Sequence, residues 1–149
     1  MQSALPLGSV LERSGVPTIG FLSSENDPWP DSLDNYAFQR YELNKAGEPT
    51  FVYTAGALLV HDHFTPDDSG KVLERTVTFE GSQADAWMLL AESNSIIELK
   101  PDLFTIDGQR MFIQIEEGLK PQIRAVNGMQ QLILPVSQRA SRVQYSFIW

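Results

Sequence analysis

His61-Asp62-His63 is the closest this sequence comes to metal chemistry. On a strand, side chains two apart share a face at about 6–7 Å, a spacing that suits two imidazole ligands of one copper or zinc ion. Asp62 then points to the other face with Val60 and Phe64. A third ligand has to come from a neighbouring strand, or from Asp67 or Asp68. These are the only two histidines, so a three-histidine zinc site is excluded. The competing reading is a pair of solvent-facing histidines that hold nothing.

A second cluster is acidic. Glu25, Asp27, Asp31 and Asp34, with Asn35, offer the hard oxygen ligands that Ca²⁺ takes. Their spacing fits no EF-hand loop, and Pro28 and Pro30 stiffen the segment, so a solvated loop capping the domain competes with a cation site. Trp29, between those prolines, either plugs one end of the core or stacks on a sugar ring. Aromatics recur downstream. Tyr36 and Phe38 share a face, Tyr41 lies opposite, and Phe51 and Tyr53 follow on the next run. Such rings build cores through cross-strand pairs, unless two or three stay exposed and coplanar as a carbohydrate platform. The candidate ligand-binding residues are therefore Trp29, Tyr36, Tyr41 and Tyr53.

Catalysis finds no motif. The carboxylate pairs Asp67-Asp68 and Glu116-Glu117 are sequence neighbours, which strands turn to opposite faces, whereas acid–base work needs convergence across a substrate. There is no Gly-x-Ser-x-Gly elbow and no phosphate-cradling glycine loop. With no cysteine in the chain, thiolate nucleophiles, disulfides and cysteine-ligated metals or haem are also excluded.

The elements that must position these residues read as strands. Met111, Ile113 and Ile115 alternate with Phe112, Gln114 and Glu116. Val143, Tyr145, Phe147 and Trp149 alternate with Gln144, Ser146 and Ile148. Leu73, Arg75, Val77 and Phe79 alternate with polar or smaller neighbours. Period-2 patterning buries one face of a strand, and few windows carry helical spacing instead. Asp107-Gly108 and Asn127-Gly128 supply hairpin turns, and Asn44–Gly47 and Asp67–Gly70 longer ones. Segment 82–92 has competing helical character, with the strand favoured in its second half. About twelve short strands are expected, beginning near 18 and ending near 149, after a loosely structured lead-in over 1–17. Such a set requires two packed sheets or a barrel. The expected fold is a single all-β domain over 18–149, an antiparallel β-sandwich of jelly-roll type.

Length and charge narrow the rest. The 149 residues suffice for one cored domain. The 11 basic against 19 acidic side chains give a net charge of −8, which disfavours nucleic acid as a partner. No stretch approaches the ~20 apolar residues of a membrane-spanning helix. The N-terminal Met1-Gln2-Ser3-Ala4-Leu5-Pro6-Leu7-Gly8 lacks the basic start of a signal peptide, so either the protein stays inside or the chain belongs to a longer exported one.

The run from Phe38 to Tyr53, Phe-Gln-Arg-Tyr-Glu-Leu-Asn-Lys-Ala-Gly-Glu-Pro-Thr-Phe-Val-Tyr, resembles a segment of large exported proteins of planctomycete and verrucomicrobial type. Those proteins combine a sorbosone/glucose-dehydrogenase-like propeller with c-type cytochrome domains. Asp27-Pro28-Trp29-Pro30, Leu73-Glu74-Arg75-Thr76, Gln131–Val136 and Tyr145–Trp149 are similar to further parts of that module. The resemblance is tight over 38–53 and loose over 27–149, and it departs at Arg40 and at His61-Asp62-His63. It implies an accessory β-domain in the periplasm or outside the cell, with redox ligands in other domains, and it transfers no catalytic residue.

The function expected is a non-catalytic binding or assembly module of a larger exported redox or sugar-handling protein. Its expected partners are other domains of that protein, or carbohydrate. The alternatives are a copper or zinc module using His61 and His63, and a β-sandwich enzyme acting on sugars. No cofactor is expected of the chain itself, with Ca²⁺, Cu²⁺ and Zn²⁺ the ions its two clusters would take.

Overall fold

Alternation of apolar and polar side chains commits a chain to strands because one pleated face can be buried while the other stays wet. The computed structural model follows that rule through twelve strands and describes residues 18–24, 26–30, 36–81, 84–108, 110–136 and 142–149. The lead-in expected over 1–17 lies outside the described residues.

The strands are β1 (Ile19–Phe21), β2 (Tyr36–Leu43), β3 (Pro49–Ala55), β4 (Leu58–Pro66), β5 (Val72–Glu80) and β6 (Ala86–Ser93). They continue with β7 (Ile96–Lys100), β8 (Leu103–Ile106), β9 (Met111–Ile115), β10 (Gln122–Val126), β11 (Met129–Pro135) and β12 (Arg142–Ile148). Within segment 82–92, where helical character competed, residues 86–92 are strand, and 82–83 lie outside the described residues. The expected all-β sandwich forms.

An eight-stranded sheet runs β2-β3-β4-β5-β12-β9-β8-β7, and a four-stranded sheet runs β1-β6-β11-β10. Every pairing described is antiparallel. The last strand stitches the large sheet together, since β12 lies between β5 and β9 with Tyr145 opposite Arg75 on one side and Ile115 on the other. Turn chemistry supports these registers. Asn127 and Gly128, the two-residue turn between Val126 and Met129, take φ of 51° and 81°, the left-handed pair that a tight hairpin needs, and Asp107 and Gly108, which open the longer connection between Ile106 and Met111, take 56° and 67°.

The main core lies between the sheets. Val60 and Phe64 of β4, Leu73 and Val77 of β5, and Val143, Tyr145 and Phe147 of β12 meet Met88, Leu132 and Leu134 of the small sheet. The small sheet is buried on its other side as well. There Leu89 and Ile133 pack with Leu22 and Trp29, with Trp87 alongside, in a separate cluster. A register shift between Leu132 and Ile133 accompanies this two-sided burial. Gly20 makes room for it, since a Cβ at that position would stand 2.9 Å from the Trp29 ring.

Candidate functional site

Three polar groupings and one apolar surface compete for a functional role. The first grouping is buried. Asp62 on β4 and Arg75 on β5 each interrupt an apolar stripe, and the strand pairing brings them together inside the core. Arg75 Nε donates to Asp62 Oδ1 at 2.8 Å, and its Nη2 donates to Asp62 Oδ2 in the second arm of a fork. Arg75 Nη1 donates to the Tyr145 hydroxyl at 2.9 Å, and Nη2 reaches Thr18 Oγ1 at 3.3 Å. The guanidinium also lies over the rings of Phe64 and Tyr145, at 5.1 and 5.9 Å.

Burial by itself would lower the Arg75 pKa. The Asp62 carboxylate against it, with Tyr145 and Tyr53 adding, outweighs burial and holds the pKa well above the ordinary value. Burial raises the Tyr145 pKa, which Arg75 partly opposes. With its donors on Asp62, Tyr145 and Thr18, this cluster fastens β4, β5 and β12 to the start of β1.

The histidines lie on the opposite face of β4, and each has its own carboxylate. His61 Nε2 is 3.1 Å from Glu80 Oε2, while His63 Nε2 is 3.4 Å from Glu48 Oε1 and its Nδ1 is 2.7 Å from Thr50 Oγ1. Glu48 is held in turn by Asn44 Nδ2 at 2.8 Å. Asp67, a candidate third ligand, caps its own turn by accepting from Ser69 N at 3.0 Å. Among the described residues, no three His, Cys, Asp or Glu side chains gather as a metal ligand set.

In the acidic loop, Asp27 Oδ2 accepts from the backbone N–H groups of Ser23 at 2.7 Å and Ser24 at 3.3 Å. Its backbone carbonyl accepts from Arg124 Nη1. Burial lowers the Arg124 pKa, and Asp27 acts against that. Asp27 therefore ties the loop to itself and to β10. Glu25, Asp31, Asp34 and Asn35 lie outside the described residues. Trp29 is buried in the cluster behind the small sheet.

The apolar surface is β2, an edge of the large sheet. From Ala37 to Leu43 its side chains are exposed, among them Phe38 at 51%, Tyr41 at 60% and Leu43 at 61%. Strict alternation puts Tyr41 opposite Phe38, and here the structure corrects the sequence reading. A bulge at Gln39 shifts the register, so Phe38 stands beside Tyr53, and Tyr41, three residues on, stands beside Phe51. An extra residue in one strand returns the next side chains to the same face. Phe38, Tyr41 and Leu43 thus share the face of Phe51 and Tyr53. The Tyr41 and Phe51 rings are 6.3 Å apart and tilted by 36°, and Phe51 meets Phe64 edge-on at 5.9 Å.

Of the residues singled out in the sequence, the structure brings Tyr41 and Tyr53 to one face and buries Tyr53 in the core. The Tyr36 side chain lies outside the described residues. Phe38 and Leu43 were not singled out as binding candidates, and neither was the Asp62–Arg75 pair. The signal for that pair was present, because two opposite charges each replace an apolar residue in an alternating stripe.

Fold and surface together define an all-β sandwich whose edge strand β2, among the described residues, carries exposed aromatic side chains. No protein-family model and no curated protein matches the chain.

Proposed function

We propose that the chain is a non-catalytic binding module whose contact surface is the apolar face of β2 with Phe51 behind it. Carbohydrate is the ligand class that suits exposed tyrosine and phenylalanine rings, which stack on the apolar faces of sugars. The observation that carries this reading is the bulge at Gln39, which gathers Phe38, Tyr41 and Leu43 on one exposed face. Exposed apolar side chains are ordinary singly, but a contiguous set marks a contact site. Of the six large hydrophobic side chains that are exposed among the described residues, three are on this strand.

Leu43 favours a second reading, because an aliphatic side chain adds little to sugar stacking and suits an apolar protein surface. Docking onto another domain of a larger exported redox or sugar-handling protein fits that residue and the resemblance over 38–53. A glycan array separates the two. Carbohydrate recognition predicts binding to some glycans that Tyr41→Ala and Phe38→Ala abolish without a change in the circular dichroism spectrum. Binding to none, or binding indifferent to both substitutions, would refute it.

A further inference from the structure

We infer that β2 pairs edge to edge with β2 of a second copy of this chain, in an antiparallel two-fold arrangement centred on Tyr41. The inference deepens the reading of β2 as the contact strand and names its partner.

The backbone sets the register. Antiparallel ladders alternate between residue pairs that exchange hydrogen bonds and pairs that do not. Asn44 N–H donates to the carbonyl of Glu48 at 3.1 Å, which fixes 44 and 48 as a bonded pair. Counting back along β2, Glu42 and Arg40 turn their backbone groups toward β3, while Leu43 and Tyr41 turn theirs outward. Among the described residues no strand lies on that outer side. An open row of donors and acceptors is a template for another strand.

Side chains then choose among the two-fold registers. Centring on Arg40 sets arginine against arginine, and centring on Glu42 sets glutamate against glutamate. Centring on Tyr41 lets Tyr41 N–H and C=O bond the same groups of the second copy. It also places each Arg40 opposite Glu42 of the other chain. Arg40 and Glu42 share the face away from Phe51, already pair within one chain at 3.6 Å and are about half exposed, so both are available. Opposite charges across a strand pair are favourable and like charges are not. On the other face the two Tyr41 rings become neighbours, joining the two Phe51–Tyr41 pairs into one aromatic stripe.

The opposite edge of the sheet is less suited. β7 has five residues against eight in β2, and its register breaks between Glu98 and Lys100. The bulge of β2 lies ahead of Arg40, leaving residues 40–43 regular.

Sedimentation equilibrium on the whole chain tests the inference. The wild type is expected to form a concentration-dependent dimer. Arg40→Glu and Glu42→Arg, each of which creates two like-charge contacts, should each weaken it by about tenfold or more. An equimolar mixture of the two variants should regain dimer, because a chain with two glutamates then meets a chain with two arginines. Tyr41→Pro removes an outward N–H without touching the β3 ladder and should leave a folded monomer. A wild type monomeric at millimolar concentration, variants that dimerise like wild type, or a mixture that stays monomeric would each overturn the pairing. A monomer that still binds glycans through Tyr41 would defeat the pairing alone. A dimer that binds no glycan would defeat only the ligand class.

Discussion

Two neighbouring regions of the large sheet place their side chains in opposite ways. At β4, β5 and β12 a charged pair, Asp62 and Arg75, lies inside the core. Three strands from β5 in the sheet order, at β2, aromatic and aliphatic side chains face outward. The difference follows from what lies above each strand. Thr18, just ahead of β1, reaches Arg75, so the small sheet covers β5 and its charges must be satisfied within the protein. β2 carries exposed side chains throughout its described length, so the packing of the described residues does not account for its apolar side chains. A buried charge is explained by its partners in the fold, whereas the exposed apolar strand is what the proposed contact surface accounts for.

Substitution should divide the two regions sharply. Asp62→Ala leaves Arg75 buried without its carboxylate and should cost about 3–5 kcal/mol in urea unfolding. Replacing both residues, as Asp62→Leu with Arg75→Met, should recover much of that loss, because the pair contributes little net stability beyond its own satisfaction. If the double variant were as unstable as the single one, the cluster would have a role besides mutual neutralisation.

Trp29→Ala empties the cluster behind the small sheet and should cost about 3 kcal/mol or more, read as a lower melting temperature. A loss below about 1 kcal/mol would show that Trp29 is not a packing residue and would return it to the ligand candidates.

Tyr145→Phe removes the acceptor of Arg75 Nη1 and should cost about 1–3 kcal/mol near neutral pH. Its pH dependence carries a sign. The Tyr145 pKa is raised in the folded state, so its contribution is complete below the ordinary tyrosine value of about 10 and declines as pH rises through the folded value. The wild type should therefore lose stability above about pH 10 more steeply than Tyr145→Phe, as measured by unfolding at a series of alkaline pH values. Equal slopes would remove Tyr145 from the buried network.

The smallest effect belongs to β2. Phe38→Ser should change the stability of the monomer by no more than about 0.5 kcal/mol, although it removes a large apolar side chain. A loss of 2 kcal/mol or more would make Phe38 part of the core and erase the contrast between the regions.

Strand positions were legible in the sequence because alternation is a local signal that a half-buried strand imposes on its own residues. The hairpin turns at Asp107-Gly108 and Asn127-Gly128 were legible for the same reason. The order of strands was not, since the placing of β12 between β5 and β9 depends on contacts some seventy residues apart in the chain, such as Arg75 with Tyr145. The candidate site was half legible. Tyr41 and Phe51 stood out as aromatics, but the bulge at Gln39 has no residue signature, and without it the alternation turns Tyr41 away from Phe38. The histidines drew attention by type alone, while the residue between them, Asp62, holds the buried partner.

The central claim is that β2 is the working surface, and a per-residue amide shift map tests it most directly. In uniformly labelled protein, glycan titration should move the amides of residues 37–43 and 50–53, and dilution should move those of 40–43. Shifts centred on the loop around Trp29 or on the His61 and His63 face, or a map that stays still through both series, would contradict the claim.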